Sequence, residues 1–323
     1  MLENSEKLRV RLIVITINYN SAEYTLKAID SFIKNHQGLL YKLIVVDNNS
    51  LKDDYEKLLK NIQQINTNNN IIIIRSNNNL GFSKGNNLGL KYAYDNYIFD
   101  YLLLMNNDII IHTKGLLNKM IYDIEKKGSI YVAEMPLINN IKQKKEAEKQ
   151  IQIRKIPNLF SLFIVSSPIL NRIFFPVKNN FIYKSKMPFK NDVDAYVLSG
   201  AFMLLSKRFI NMIKYFDVDT FLYGEEIIIG YQIKKYGYKG FLNTKYIVDH
   251  VQGASSEKKS FSGFTFFHKY KSASIFAKKY LKAKKYYLFF FKVKFIIEAF
   301  VLDMLINKSI KEFLIFYKLL KKL

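Results

Sequence analysis

The chain has 323 residues, no cysteine, and 50 Lys and Arg against 27 Asp and Glu, a formal net charge of +23. That length accommodates one large domain or one domain with an appendage, and the second is the expectation here. The absence of cysteine excludes disulfides, thiolate metal sites and a cysteine nucleophile, leaves chemistry to oxygen and imidazole groups, and suits a reducing, cytoplasmic setting.

The polar start, residues 1–8, and the short β-branched run after it do not make a secretory signal. Residues 10–17 predict a buried strand, 22–34 an amphipathic helix, and 42–46 a second strand ending in Asp47. Residues 71–74 predict a third strand, 84–94 a helix, and 101–105 a fourth strand ending in Asn106, Asn107 and Asp108. This alternation argues for an α/β fold, a parallel sheet covered by helices on both faces. In such sheets ligands bind beyond the carboxyl ends of the strands, where Asn18, Asn20, Asp47, Asn79 and Asp108 fall. Each alone is also an ordinary turn or cap residue.

Residues 139–149 are charged and aperiodic, reading as a solvated loop or helix. Residues 159–175 carry Arg172 as their only charge and are interrupted by Pro168, so a buried or interfacial segment is expected and not a bilayer span. Residues 195–205 read as a strand through Ser199 and Gly200. Residues 225–236 read as a helix stopped by Gly237, and 246–248 as a short strand before Asp249 and His250. Gly81 and Gly85 fit neither a P-loop nor a dinucleotide fingerprint and read as turn glycines at a helix start.

After Ser262 the pattern is helical, and the Lys excess concentrates in residues 258–323 among Phe, Tyr, Leu and Ile. A/T-rich coding alone enriches Lys, Asn, Ile, Tyr and Phe. A basic aromatic tail fits an anionic membrane surface better than a duplex, so no nucleic-acid partner is expected. Packing of this tail on the rest of the chain or on a second subunit is the competing expectation.

Taken together, segments 15–21 (ITINYNS), 44–50 (IVVDNNS), 79–87 (NLGFSKGNN), 102–108 (LLLMNND), 198–203 (LSGAFM), 216–217 (FD), 221–226 (FLYGEE) and 250–255 (HVQGAS) resemble the family 2 inverting glycosyltransferases in order and spacing. The rhamnosyltransferase-like enzymes of bacterial surface polysaccharide synthesis are the most similar branch. The resemblance implies a GT-A domain over residues 1–258, a helical C-terminal region over 259–323, a UDP- or dTDP-sugar donor, a glycan or lipid-linked glycan acceptor, and Mn2+ or Mg2+. It places Asn18, Asn20, Asp47, Asn79 and Asn86 around the nucleotide sugar, and Asp108 and His250 at the metal. Glu226 matches the family's base, with Glu225 beside it to orient the acceptor. Two positions depart from the family pattern: Asn106 replaces the first Asp of the metal motif, and Ile228 stands where many relatives have another Asp. An amide oxygen still coordinates, less strongly than a carboxylate.

Inverting transfer requires a metal against the diphosphate, a base on the acceptor hydroxyl, and a pocket aligning both. Adjacent helix positions diverge by about 100°, so Glu225 and Glu226 are not a facing hydrolase dyad. A sugar-phosphate nucleotidylyltransferase would want a glycine-rich loop after the first strand, where this chain has Asn18-Tyr19-Asn20. An inactive membrane-associated adaptor with a transferase fold is the third reading. The inner face of the membrane is the partner expected for the tail.

Overall fold

The computed structural model describes residues 7–36, 38–66, 68–141, 147–149, 153–251 and 260–323. Continuous apolar runs form strands buried on both faces, β1 (Leu12–Asn18), β2 (Tyr41–Asp47) and β4 (Tyr101–Met105), and the half-buried edge strand β3 (Ile71–Arg75). They pair in parallel, in the order β4-β1-β2-β3. α1 (Ala22–Asn35) buries Ala22, Thr25, Ala28, Ile29 and Phe32, the helical spacing of an amphipathic face. α2 (Lys52–Ile65) buries only Leu58 and Ile62, too faint a stripe to be legible in the sequence.

α3 (Gly81–Asn96) begins three residues before its expected start. Gly85 is a packing residue and not a turn residue: a Cβ there would stand 2.9 Å from Ile17, so the missing side chain lets the helix lie close on β1.

β5 (Ile109–Ile111), α4 (Leu116–Lys127) and β6 (Tyr131–Ile141) follow. β6 carries the chain through residues 139–141, and β7 (Ala147–Lys149) pairs back on it antiparallel, so the expected loop or helix over 139–149 is strand where it is described. Ladder pairing supplies the order that periodicity did not announce; residues 142–146 lie outside the described set.

The single strand expected over 195–205 is broken into β8 (Val193–Ala195), the pair Val197–Leu198, and β9 (Phe202–Ser206), with Ser199 and Gly200 in the break. β9 runs antiparallel between β4 and β6. β10 (Lys239–His250) extends the short strand expected at 246–248 to 12 residues, because β6 pairs with it in parallel along its length. β5 and β8 complete a ten-stranded mixed sheet.

α5 (Leu159–Val165) lies outside the sheet; within the 159–175 segment Leu162 and Ile164 are buried while Phe160, Ile173, Phe174 and Phe175 are exposed. α6 (Glu225–Lys235), α7 (Gly263–Ile275), α8 (Lys285–Leu302) and α9 (Lys311–Leu320) build a second core around Phe266, Phe291, Phe295 and Phe316. Leu162 and Ile228 belong to that core, so the C-terminal helices share apolar surface with the site-bearing region. The boundary expected at 258/259 falls outside the described residues. Among the described residues no helix is long and apolar enough to cross a membrane.

Candidate active site

The parallel strands deliver their carboxyl ends to one edge, with Asn18, Asp47 and Arg75 in register. Asn18 is buried, and its amide donates to Asp47 (3.0 Å), Ser50 (3.0 Å) and Asp54 (2.9 Å) while its oxygen accepts from Thr25 (2.7 Å). It therefore organises the edge from beneath. Asn20, at φ 50°, accepts from the Leu51 amide and ties the two strand-end loops together. Asp47, also buried, accepts from the Ser50 amide and lies 3.6 Å from Arg75 Nε. The Arg75 guanidinium covers the Tyr55 ring at 4.0 Å.

Asn79 accepts from Asn48 Nδ2 (2.9 Å) and from the Gly81 amide (3.0 Å), fixing the entry to α3. Asn86 donates to the Phe82 carbonyl. With Ile17, Phe82, Met105, Asn106 and Asn107 it lines a cavity of about 40 Å³ at the strand ends. Because β9 is antiparallel, its amino end arrives at this same edge, where the Asn106 amide donates to Ala201 (2.8 Å).

The acidic loop reaches this edge through backbone contact. The Phe82 amide donates to the Phe221 carbonyl (2.9 Å), and a Cβ on Gly81 would lie 2.3 Å from that oxygen, so only glycine permits the approach. Tyr223 (φ 67°) and Gly224 (φ 80°) then turn the chain into α6, with Glu225 and Glu226 in its first turn. A Cβ on Gly200 would be 3.2 Å from Glu226 Cγ and 3.5 Å from the Phe82 ring. Glu226 and Phe82 thus both approach Gly200. Glu226 also lines a cavity of about 350 Å³, together with Arg154, Leu162, Phe266, Lys269 and Phe276.

Glu225 is differently placed. Its Oε2 is buried and finds no hydrogen-bond partner among the described residues. Burial, then the charge of Glu226, raises its pKa well above the usual carboxylate range. The two members of the acidic pair therefore differ in surroundings, Glu225 turning Oε2 away from solvent and Glu226 lining the larger cavity.

Asp108 and His250 meet because Ile109 pairs with His250 across β5 and β10; His250 Nε2 lies 2.9 Å from Asp108 Oδ1. Asp249, on the alternate face of the strand, pairs with His112 at 2.7 Å. No group of three His, Cys, Asp or Glu suited to a metal occurs among the described residues. The Asp108 carboxylate and the His250 imidazole, 2.9 Å apart, with Asn106 two residues before Asp108, are nevertheless donors of the kind a divalent cation takes.

The loop bearing the acidic pair is held from behind by the C-terminal helices. Ser272 donates to the Leu222 carbonyl (3.0 Å), and His268 packs on Phe221 with ring centroids 4.7 Å apart. Lys279 pairs with Asp217 (2.8 Å) and Asp219 (2.9 Å), and the Tyr280 hydroxyl donates to Asp217. Sequence reasoning missed Arg75, Arg154 and Lys269. Arg75 carried a signal, a cation at a strand end in the third βα position, whereas the other two sit in segments with no motif.

Comparison with known proteins places this geometry. The family described as "Glycosyl transferase family 2" matches residues 13–211. The "Low-salt glycan biosynthesis hexosyltransferase Agl10" of Haloferax volcanii is 24% identical over 224 residues, which are 69% of this chain and 62% of that protein. Among solved structures, GalNAc-T7 with UDP, GalNAc and Mn2+ superposes with TM-score 0.57 at 17% identity, covering 76% of this chain and 44% of that one. The mannosyltransferase PcManGT of Pyrobaculum calidifontis, in complex with GDP-Man and Mn2+, gives 0.54 at 10% identity, with 90% and 70% covered. The chain therefore spans under two thirds of the hexosyltransferase and under half of the GalNAc-T7 chain. The α/β GT-A fold with a helical C-terminal region is borne out.

Proposed function

The chain belongs to glycosyl transferase family 2, and on that basis we propose that it is an inverting, metal-dependent glycosyltransferase of cell-surface polysaccharide synthesis, in the rhamnosyltransferase-like branch. It moves a hexose or rhamnose from a UDP- or dTDP-sugar to a hydroxyl of a glycan or lipid-linked glycan. The observation that carries this reading is the place of Glu226 in the first turn of α6, where it lines the larger cavity and lies against Gly200 next to Phe82 of the strand-end edge, since a base must reach both donor and acceptor.

In this reading Asp47, with Arg75 and Tyr55 beside it, receives the nucleotide base, while Asn20, Asn79 and Asn86 shape the loops around the donor. Asp108, His250 and Asn106 would hold Mn2+ or Mg2+, which when bound neutralises charge on the departing diphosphate. Glu226 takes the acceptor proton as the acceptor oxygen bonds to the anomeric carbon. The bond from that carbon to the diphosphate oxygen breaks, and the nucleoside diphosphate leaves with the electron pair. Glu225 stands beside it with its pKa raised by burial and by Glu226. Manganese use by the two superposed transferase structures supports the metal.

The test is a panel of UDP- and dTDP-sugars incubated with Mn2+, reading released nucleoside diphosphate. Turnover with one sugar, abolished by chelation and restored by metal, is expected. Metal-independent nucleotide binding, unchanged by Asp108→Ala, would overturn the metal site, and no binding of any nucleotide would overturn the donor assignment.

A further inference from the structure

The loop from Phe216 to Gly224 forms no helix or strand, yet it ends in two left-handed residues, Tyr223 (φ 67°) and Gly224 (φ 80°), directly before the glutamates of α6. A non-glycine residue keeps such a backbone only where its surroundings hold it there. The loop is held from two sides. On one, α3 grips it: Asn87 exchanges hydrogen bonds with the Phe216 backbone (2.8 and 2.9 Å), and the Phe82 amide donates to the Phe221 carbonyl. On the other, α7 runs into a π-helical turn, Phe276–Tyr280, whose Lys279 and Tyr280 both reach the Asp217 carboxylate, itself only 3% exposed. Consecutive residues of an α-helix diverge by about 100°, and the wider π turn lessens that angle, so two neighbours can share one carboxylate. The rings of Phe276 and Tyr280 also meet Tyr231 of α6, with centroids 5.9 and 5.3 Å apart. One short turn thus touches the start of the loop and the helix into which the loop delivers Glu226. The family match ends at residue 211, so the acidic loop and this turn both lie beyond it.

We propose that Lys279 and Tyr280 are positioning residues for transfer: through Asp217 and Tyr231 they hold the loop and α6 so that Glu226 keeps its place against Gly200, which makes the C-terminal helices part of the catalytic unit. The inference rests on the reading of Glu226 as the base and goes beyond it by naming what positions it.

A double-mutant cycle between Lys279 and Glu226 in the full chain tests it. The productive sugar of the UDP- and dTDP-sugar panel is used with water as acceptor, reading nucleoside diphosphate released at saturating donor, UDP binding, and hydrogen exchange over residues 216–224. Lys279→Ala and Tyr280→Phe should each lower kcat about tenfold and speed that exchange about as much, with UDP binding unchanged. Lys279→Arg should restore both, and Lys278→Ala, at the exposed neighbour, should change neither. In the Glu226→Gln background Lys279→Ala should cost less than about twofold more, because the group it positions is already gone. A tenfold loss repeated in that background would make the contact merely structural and overturns the proposal. Parent-like exchange in both Lys279→Ala and Tyr280→Phe overturns it even if no sugar turns over. If Glu226→Gln lowers kcat and the Lys279 and Tyr280 variants do not, the positioning role falls and the base reading stands. If those variants lower kcat and speed exchange while Glu226→Gln keeps parent turnover, the base reading falls and the hold on the loop stands without it.

Discussion

At the scale of single residues, two neighbouring glutamates carry opposite expectations because their surroundings differ. Glu226 lines the larger cavity, and Glu226→Gln should retain donor affinity while transfer falls by a factor on the order of 10² to 10⁴, read in steady-state and donor-binding measurements. Glu225 has Oε2 shut off from solvent and a pKa raised by burial and by Glu226, and Glu225→Gln should leave kcat at neutral pH within about threefold, too small a loss for a general acid or base. Its effect should appear in stability instead. A carboxyl whose folded pKa is raised binds more protons in the folded chain than in the unfolded one above the ordinary carboxylate range, so stability is lost as pH rises through the folded value. Glu225→Gln should therefore raise the melting temperature on the alkaline side and leave it unchanged in acid, and a melting profile parallel to the parent at every pH would show Glu225 to be charged. At the metal pair, Asp108→Ala removes the carboxylate that His250 faces, and should abolish turnover and weaken donor binding only in the presence of Mn2+, a difference calorimetry with and without metal resolves.

At the scale of elements, the segment from α5 to α8 is held by a buried polar contact inside an aromatic core. Lys294 donates to the Phe163 carbonyl (2.7 Å) and to Ser166 (2.8 Å), while Ser167 donates to Glu298 one helical turn along. Burial lowers the Lys294 pKa to about 7 and raises that of Glu298, so each depends on the other's presence. Lys294→Ala, which leaves Glu298 without its counter-charge, should destabilise the chain by about 3–5 kcal/mol in chemical denaturation, and Lys294→Met with Glu298→Gln should recover most of that. Equal destabilisation by the single and double variants would mean that packing, not charge, sets the effect. None of this was legible in the sequence, where the region after Ser262 reads as basic residues among aromatic and aliphatic ones. What was legible follows one physical rule: β1, β2 and β4 are buried on both faces and therefore written as unbroken apolar runs ending in polar residues. β6 and β10 alternate or bulge, with a register shift between Asn243 and Ile247, and so left only a fragment visible at 246–248. The candidate site was readable where motif residues sit at strand ends. It was unreadable at Arg154 and Lys269, because their convergence exists only once α7 has packed beside α6.

At the scale of the whole molecule, a Lys excess of 14 against 3 Asp and Glu in residues 263–323 and an exposed apolar stripe coincide on the C-terminal helices. α8 is apolar on two faces: Phe291, Phe295 and Ala299 enter the second core, whereas Tyr286, Phe289, Phe290, Ile297 and Phe300 form an outward stripe at helical spacing, with Phe289 and Phe290 62% and 60% exposed. Ile296, next to Ile297 on the same helix, packs inward. Lys282, Lys284, Lys285 and Lys292 border the stripe and are exposed, a pattern suited to anionic headgroups around inserted rings. Deleting the chain after Ser262 is a poor test, since it would strip Leu162 and Ile228 of their core and release the loop that Ser272, Lys279 and Tyr280 hold. Side-chain replacement on the outer face avoids that. The intact chain should co-sediment with phosphatidylglycerol vesicles and lose binding as salt rises over a Debye length of about 10 Å at 0.1 M. Phe289→Ser, Phe290→Ser and Ile297→Ser together should remove most of the binding while melting stays within a few degrees, because all three side chains are more than half exposed. Absence of vesicle binding by the intact chain, or full binding by the triple variant, would take the stripe away from the membrane. Dimers in light scattering that the triple variant converts to monomers would assign it to a second copy of the chain.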